Sequence, residues 1–395
     1  MSEPAFDPAA PLPGPPEPWA FASTPTYRDG PPYHMTDMIA AEPALARRII
    51  ARVAGGAGQE LADAILRAAA DGAPIVVTGC GTSETAAQSV VEILHEALRS
   101  AGLPDAAIFA EQAFELALDP AARGLVIGVS HEGGTGATNA ALRASSAAGA
   151  MTAVLTVSRR SPAGELADVV VETGELDQGW CHTIGYLSPI LAAAAVGAEL
   201  SRRPVDGNAL AELLSAGARD EAGAEQVAGG LATAANLLVI ASGADRPAGR
   251  ELTLKVEEAA WLPSAYRDLE TFLHGHLPAT GPDSGLVLVL ADRAARAERL
   301  ARAKEALAAA QIIGIRAAAI LAADLDASLA PELTPAGRLL VREEPSLPAP
   351  VAALVGTATP LQLLTERLAR ARGTNPDPIR RDDPVYRRAA EAAGG

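Results

Sequence analysis

Three side chains that can carry acid–base chemistry lie close together in the second half of the chain: Glu251, Lys255 and Glu258. Residues three or four positions apart on a helix share a face, so a helix here would project all three together. The chain holds 32 Lys and Arg residues, and only Lys255 and Lys304 are lysines. This scarcity favours a specific role for Lys255. The alternative is a solvated helix face with an ordinary ion pair between Glu251 and Lys255.

A histidine follows this segment, in the sequence Phe-Leu-His-Gly-His at residues 272–276. An acid, a base and a nearby imidazole are the groups needed to move a proton between adjacent carbons of a sugar. Glu258, Lys255 and His274 are therefore the candidate catalytic residues. Without this context, His274 would be interpreted as a partly buried histidine bonded to the backbone.

Two loops rich in glycine and hydroxyl side chains, residues 79–84 and 130–136, follow predicted strands in the first half of the chain. Such a loop, just before a helix, offers backbone N–H groups and the positive end of the helix dipole to an anion or a hydroxyl. An ordinary βα turn with a Ser or Thr cap is the alternative for either loop alone. Two such loops at neighbouring strand ends favour a ligand crevice. The candidate binding residues are Gly81, Thr82, Ser83, Ser130, His131, Glu132 and Thr135.

A third segment, residues 177–183, follows the fifth predicted strand and adds Trp180 and Thr183 to the candidates. A Trp or His in such a segment packs in the core as often as it contacts a ligand. Cys80 and Cys181 indicate neither a disulfide framework nor an activated thiolate. No spacing of His, Cys and Asp indicates a metal site. Because side chains alone can shuttle a proton, we expect no cofactor.

Short apolar runs alternate with alanine-rich amphipathic stretches along most of the chain. Apolar runs without polar alternation are typical of strands buried on both faces, and strand–helix alternation predicts a parallel sheet. The pattern occurs twice, so the predicted fold class is α/β, with two doubly wound parallel-sheet sandwiches in tandem. The predicted strands are 75–78, 107–109, 125–129, 153–156 and 169–171, then 237–240, 286–290, 312–315 and 339–341. Helical patterns are predicted at 37–53 and 208–229.

Four parts of the chain follow from these patterns. Residues 1–36 form a proline-rich arm, which we expect to be extended and to pack on the surface or on a partner subunit. Residues 37–207 and 208–368 are the two predicted domains, and residues 369–395 are a C-terminal tail.

The composition narrows the class of protein. Hydrophobic residues make up 49% of the 395 residues and aromatic residues only 3%, so the cores must be built from Ala, Val, Leu and Ile. A net charge of −16 argues against binding to nucleic acid or to an anionic membrane. We find no run of the roughly 18–20 apolar residues that cross a bilayer and no signal-peptide pattern. A soluble cytoplasmic protein is expected.

The motifs, in their order along the chain, resemble those of the SIS (sugar isomerase) family, in particular the isomerase part of glutamine–fructose-6-phosphate amidotransferases. Residues 81–83 match the family's Gly-Thr-Ser loop, and residues 130–135 match its Ser-x-Ser-Gly-x-Thr loop. Residues 177–183 resemble its Glu-x-Gly-x-x-x-Thr segment. Residues 254–258 correspond to its Leu-Lys-x-Lys-Glu helix, and 270–276 resemble its Glu-x-x-His-Gly-Pro segment with one residue inserted. The resemblance implies two flavodoxin-like SIS sandwiches.

The resemblance also implies a role for each matched residue. Glu258 would shuttle a proton between C1 and C2 through an enediol-like intermediate, and Lys255 would bond substrate oxygens. His274 would assist ring opening and would reach the site from the neighbouring subunit, so a homodimer with a shared active site is implied. A phosphate group would be held by Ser83, Ser130 and Thr135.

Three departures from the family pattern narrow the prediction. The chain opens with the proline-rich arm rather than a glutaminase domain, so glutamine-dependent synthesis by this chain alone is not expected. The family's tail lysine, which forms a Schiff base with the ketose, is absent because no lysine follows Lys304. Glu132 replaces the second serine of the phosphate loop, and it would repel a phosphate by a few kcal/mol at an effective dielectric of about 20. Either Glu132 turns away, or His131 offsets its charge, or the substrate carries no phosphate there.

The leading prediction is an aldose–ketose isomerase that acts on a sugar phosphate or an amino sugar, with or without release of ammonia or an amine. Its partner would be this small-molecule sugar. The alternative from another class is a non-catalytic sugar-phosphate-binding regulatory protein, which would keep the loops but need no base. A third option, the isomerase partner of a separate glutaminase, is weakened by the missing tail lysine.

Overall fold

A computed structural model of the chain describes residues 6–16, 19–20 and 26–393. These residues form two five-stranded sheets in which all strand pairs are parallel. The first sheet has the order β2-β1-β3-β4-β5, with β1 (Ile75–Gly79), β2 (Ile108–Gln112), β3 (Leu125–Val129), β4 (Met151–Thr156) and β5 (Val169–Glu172). The second sheet has the order β10-β9-β8-β6-β7, with β6 (Asn236–Ala241), β7 (Ser264–Asp268), β8 (Ser284–Leu290), β9 (Arg316–Ala322) and β10 (Gly337–Val341).

Helices cover the faces of both sheets. They are α1 (His34–Val53), α2 (Gly56–Ala70), α3 (Thr82–Ser100), α4 (Ala113–Leu118), α5 (Gly136–Ala148), α6 (Pro162–Leu166), α7 (Ile184–Ser201), α8 (Gly207–Ala218), α9 (Glu221–Leu231), α10 (Arg246–Ala260), the single turn α11 (Leu269–Thr271), α12 (Arg296–Ile313), α13 (Ala349–Arg372) and α14 (Pro384–Ala392).

The two sheets have the same topology. In each, the first strand in sequence pairs with the second on one side and the third on the other, which is the flavodoxin-like order. All residues of β3 and of β8 are buried, as expected for central strands covered by helices on both faces. The predicted α/β class with two doubly wound parallel sheets is confirmed.

The second half shows where apolar patterning misled the prediction. Residues 312–315 are not a strand: Ile312 is 87% exposed at the end of α12, and Gly314 ends the helix with φ +88°. The strand β9 begins two residues later and is built mainly from alanine. The edge strand β7 was missed because its half-buried sequence, Ser-Ala-Tyr-Arg-Asp, lacks an apolar run. The helical pattern at 208–229 is two helices, α8 and α9.

Helix α13 joins the two halves into one core. Every residue from Pro350 to Ala369 is buried, and the helix packs on α10, α9, α8 and α7. A single apolar cluster includes Ile127 of the first sheet and Val287 of the second. The halves therefore share packing, and α13 fixes the position of elements from one half against elements of the other.

The described part of the proline-rich arm packs on the same chain. Leu12 is buried, and its N–H donates to Glu175 Oε2 at 2.9 Å. Pro13 accepts a hydrogen bond from the N–H of Leu176 at 2.8 Å. These bonds agree with an arm that packs on the surface; residues 1–5, 17–18 and 21–25 of the predicted arm lie outside the described residues.

One helix corrects the prediction that no segment is long and apolar enough to cross a bilayer. Helix α7 has 18 residues and a mean hydropathy of 1.4. Within the described chain it is the one helix that meets this test, and 83% of its residues are buried. It packs against α1, α2 and α3, so its apolar surface serves the core.

Candidate active site

Helix α10 places a buried lysine between two carboxylates. Lys255 is 0% exposed, and its Nζ lies 2.5 Å from Glu258 Oε2 and 3.6 Å from Glu251 Oε1. Burial alone would lower the pKa of Lys255, but the charges of Glu258 and Glu251 outweigh it and raise that pKa, so the ammonium is held charged. Burial raises the pKa of Glu251 to about 7. These contacts rule out the alternative of a solvated helix face.

Glu258 is the residue of this group whose side chain is accessible to solvent. Its side chain is 23% exposed, whereas the side chains of Lys255 and Glu251 are 0% exposed. A ligand can therefore reach the carboxylate of Glu258, while the ammonium beside it is screened from water. A charged pair of this kind is strong only where water is excluded.

The loop after β1 lies directly against α10. The hydroxyl of Thr85, in the first turn of α3, hydrogen-bonds to Glu251 Oε2, and Thr82 is also within hydrogen-bonding reach of Glu251. Gly81 caps α3 with φ +57°, a conformation that favours glycine, and this turn positions Thr82 as a buried residue and Ser83 as a half-buried one.

The loop after β3 contains two buried polar atoms without a partner among the described residues, Ser130 Oγ and His131 Nδ1. The main chain of Ser130 continues the sheet, because its N–H donates to Leu155 O at 3.1 Å. Glu132 is half-buried. Thr135 is exposed at the N-cap of α5, and its side chain makes no capping bond to the first N–H groups of this helix.

Asp177 organises the segment 177–183. Its Oδ2 accepts hydrogen bonds from the N–H groups of Thr183 at 2.6 Å and Gly185 at 3.0 Å, which closes the start of α7. The N–H of Asp177 donates to His131 Nε2 at 2.9 Å. From α13, Gln362 Nε2 donates to the carbonyl of Thr183 at 3.1 Å. The segment is therefore fixed both to the loop after β3 and to α13.

Trp180 forms the outer wall of this segment. Its N–H donates to Asp377 O at 3.2 Å, and the guanidinium of Arg381 lies 4.6 Å from its ring centroid. Next along the chain, Cys181 is buried, and burial raises the pKa of its thiol well above 9.0, although Lys255 opposes this. The C-terminal tail therefore contacts the segment that adjoins Lys255.

These contacts bring most of the predicted site residues to one place. The loop after β1 reaches α10 through Thr85 and Glu251, and the segment 177–183 reaches α10 through Cys181, which shares an apolar cluster with Ala259. The loop after β3 joins them through His131 and Asp177. All three follow carboxyl ends of strands in the first sheet, where doubly wound folds bind their ligands.

His274 is the predicted residue that the structure does not bring to this place. Its side chain is 69% exposed, and its Nε2 hydrogen-bonds to Glu270 Oε1 at 2.6 Å. Glu270 also pairs with Arg302 of α12, and these two partners, Arg302 first, lower the pKa of Glu270 to about 2. Within the described residues, no hydrogen bond or ion pair joins His274 to Lys255 or Glu258.

Sequence reasoning missed three residues of this arrangement: Thr85, the capping role of Asp177, and His182. Asp177 carried a readable signal, since an Asp a few residues before an apolar helix often bonds its first N–H groups. His182 lay in a segment where a His was expected to pack in the core as often as to contact a ligand, and Thr85 carried no signal because its contact comes from another part of the chain.

A surface cavity elsewhere offers less chemistry. It has a volume of about 490 Å³ and lies between α1, α2 and α7. Its titratable residues are Asp63, Glu199 and Arg202, without a lysine or histidine. In the described part of the chain, no group of three or more His, Cys, Asp or Glu side chains could hold a metal ion. The cluster around Lys255 is therefore the candidate active site.

Comparison with known proteins bears on this arrangement. No protein-family model matches the chain, and no curated protein matches it in sequence. Among solved structures, the C-terminal domain of glucosamine-fructose-6-phosphate aminotransferase from Francisella tularensis matches with a TM-score of 0.73 at 18% identity, over 89% of this chain and 99% of that one. The chain has the SIS fold.

Two further structures have the same fold. Tagatose-6-phosphate ketose/aldose isomerase from Escherichia coli matches with a TM-score of 0.70 at 16% identity, over 90% of this chain and 97% of its own. Glucosamine-6-phosphate deaminase from Thermotoga maritima matches with a TM-score of 0.58 at 16% identity, over 77% and 88% of the two chains. The predicted SIS resemblance is confirmed as a fold, and the roles of individual residues rest on the geometry above.

Proposed function

We propose that this protein is an aldose–ketose isomerase that acts on a sugar phosphate or an amino-sugar phosphate. The observation that carries the proposal is the buried Lys255 ammonium held 2.5 Å from the accessible carboxylate of Glu258. The SIS-fold proteins named above include a tagatose-6-phosphate ketose/aldose isomerase and a glucosamine-6-phosphate deaminase, and both names specify a sugar phosphate.

The proposed reaction moves one proton from carbon C2 to carbon C1. Glu258 takes the proton from C2 of the open-chain aldose, and the electrons of that C–H bond form the C1–C2 double bond of an enediolate. Lys255 stabilises the negative charge that develops on the substrate oxygen. Glu258 then returns the proton to C1, and the proton of the C2 hydroxyl moves to the C1 oxygen, so that C2 becomes the ketone and C1 carries the hydroxyl. The carboxylate ends as it began.

The first-sheet loops would hold the other end of the substrate. Backbone N–H groups at the starts of α3 and α5 suit a phosphate group, with Ser83, Ser130 and Thr135 as side-chain donors. The unpartnered hydroxyl of Ser130 supports this placement. Gly81 and Thr82 would let the loop approach the ligand, and Trp180 and Thr183 would form one wall of the site.

Several finer features remain part of the proposal. We propose a soluble, cytoplasmic homodimer with the domain limits 37–207 and 208–368, and we propose that the reaction requires no cofactor. Release of ammonia from an amino sugar is the variant of the reaction in which the amine at C2 leaves. The exposed position of His274 leaves it free to contact a second subunit.

Solvent deuterium exchange tests the proposal. Wild-type protein is incubated in D₂O with a panel of aldose, ketose and 2-amino-sugar phosphates, and exchange at C1 and C2 is followed by NMR. We expect exchange for at least one sugar and its loss in Glu258→Gln. Glu257→Gln is the matched control, because Glu257 is the neighbouring glutamate and bonds to Ser264 N instead. Equally slow exchange by wild type and Glu258→Gln on every sugar overturns the isomerase, and calorimetric binding without exchange would favour the regulatory alternative.

A further inference from the structure

His182 lies within the candidate site and has no hydrogen-bond partner among the residues that the structure describes. It directly precedes Thr183, the N-cap of α7, and it is partly exposed. Its ring meets the ring of His131 edge to face, with the ring centroids 5.6 Å apart. The imidazole is therefore held by packing and can still be reached by a ligand.

The first turn of α7 fixes the ring from another side. A Cβ added at Gly185 would lie 3.0 Å from His182 Nδ1, so glycine at this position leaves the room that the imidazole occupies. The N–H of Gly185 is itself held by Asp177 Oδ2 at 3.0 Å. The position of His182 is therefore set by the same hydrogen bonds that fix the segment 177–183.

The electrostatic surroundings of His182 keep it neutral. Burial lowers its pKa first, and the neighbouring His131 and Lys255 lower it further, although Asp177 opposes them. The residue before His182, Cys181, packs in one apolar cluster with Ala259, which directly follows Glu258 on α10. A neutral imidazole has one nitrogen that accepts a proton and one that donates, which suits proton exchange with sugar oxygens.

His131 adds an independent observation that points to a ligand. It is 5% exposed, and because its Nε2 accepts from the N–H of Asp177, its proton lies on Nδ1. Within the described residues Nδ1 has no acceptor. A buried N–H left without an acceptor destabilises the protein, and a sugar or phosphate oxygen is the kind of acceptor that would satisfy it.

We propose that His182, on the same chain as Glu258, is the imidazole that opens the sugar ring. The inference rests on the proposed isomerase function, and it gives His182 the role that the family resemblance assigns to His274. It follows from the location of the two side chains. His182 packs on His131 and directly follows Cys181, which shares an apolar cluster with Ala259 of α10, whereas His274 is exposed and paired with Glu270.

His182 alone can carry both proton transfers of the ring-opening step. The accepting nitrogen takes the proton of the anomeric hydroxyl while the bond between C1 and the ring oxygen breaks and the C1 carbonyl forms. The imidazolium then gives that proton to the ring oxygen, which becomes the hydroxyl of the open chain. His182 is neutral again when Glu258 begins the transfer between carbons.

Single substitutions give the first test, on a sugar for which the wild type exchanges deuterium. We expect His182→Gln to lower kcat by roughly 10²–10⁴-fold, the usual range for loss of a general acid–base group, with a much smaller change in KM. His95→Gln is the matched control, a partly exposed histidine of α3 outside the site. Unchanged kcat in His182→Gln overturns the inference. If the wild type exchanges on no sugar, the isomerase proposal itself fails.

Subunit complementation separates His182 from His274 and from a purely structural effect. Glu258→Gln and His182→Gln proteins are mixed, dissociated and reassociated; if both residues belong to the same chain's site, no active site is restored. If the imidazole came from the partner subunit, about a quarter of the sites in a random mixture of dimers would be intact. Recovery near that level with His182→Gln overturns the inference. No recovery, together with an unchanged thermal midpoint of His182→Gln and near wild-type kcat in His274→Gln, supports it.

Discussion

The hydroxyl of Thr85 donates a hydrogen bond to the carboxylate of Glu251, and this bond joins the two halves of the chain. Thr85 belongs to α3, which packs on the first sheet, and Glu251 belongs to α10, which packs on the second. Glu251 also lies 3.6 Å from the ammonium of Lys255. The buried carboxylate of Glu251 therefore fixes the loop after β1 to the proposed acid–base pair of Lys255 and Glu258.

Removing the buried cation should damage both activity and stability. Lys255→Met keeps the length of the side chain but leaves Glu251 and Glu258 without their shared counter-charge. We expect loss of deuterium exchange and a fall of about 3–5 kcal/mol in the free energy of unfolding. The double variant Lys255→Met/Glu251→Gln should regain part of that stability but none of the activity, as measured by urea denaturation and the exchange assay. A double variant no more stable than Lys255→Met would contradict this electrostatic explanation.

Glu42 should make stability fall as pH rises. It is 0% exposed between α1 and α13, with Thr359 Oγ1 donating to its Oε2, and burial raises its pKa from 4.5 to about 8. Between these values the unfolded chain releases the proton and the folded chain keeps it, so stability decreases with pH across that window.

Glu42→Gln cannot ionise, and this gives the measurement. Relative to the variant, wild type should lose roughly 4 kcal/mol of unfolding free energy between pH 5 and pH 8.5, as measured by urea denaturation at both pH values. Glu60→Gln, which removes an exposed carboxylate on α2, is the control and should show no such pH-dependent difference. A pH-independent difference for Glu42→Gln would show that Glu42 ionises alike in both states.

The fold could be predicted to a large extent because the strand signal is local. All five predicted strands of the first sheet overlap observed strands, most fully where the run is apolar and β-branched, as in β3 and β5; β2 overlaps its prediction only at residues 108–109. Prediction failed where a neighbour decides the structure: β9 is alanine-rich and becomes a strand by pairing with β8 and β10, and residues 312–315 end a helix because Gly314 adopts positive φ.

The candidate site could be predicted only in part, for a similar reason. Lys255 and Glu258 share one helix, so their spacing alone predicts the contact of 2.5 Å. His182 was passed over because its neighbours, His131 and Lys255, are 51 and 73 residues away in sequence and meet it only through the fold. The burial of Lys255 likewise depends on packing that no spacing shows.

Gly133 should tolerate no side chain. It has φ +74°, and an added Cβ would lie 2.1 Å from Ser161 Oγ. We expect Gly133→Ala to lower the free energy of unfolding by about 2–4 kcal/mol and to weaken phosphate binding measured by calorimetry, because the loop 130–136 must shift. Gly136→Ala is the control for stability, since a Cβ there meets nothing within 4 Å. Equal stability of the two variants would refute the steric argument.

The C-terminal tail should hold the wall of the site through Trp180. Arg381 lies over the Trp180 ring with its guanidinium carbon 4.6 Å from the centroid. The backbone N–H of Trp180 donates a hydrogen bond to the carbonyl of Asp377. A cation–π contact at a half-buried position stabilises by about 0.5–1 kcal/mol, so its loss should loosen the segment 177–183 without unfolding the protein. We expect Arg381→Ala to raise KM several-fold with little change in kcat and to shift the emission of Trp180. Arg387→Ala, on the exposed helix α14, should leave both unchanged; an unaltered KM and emission in Arg381→Ala would mean that the tail does not position this wall.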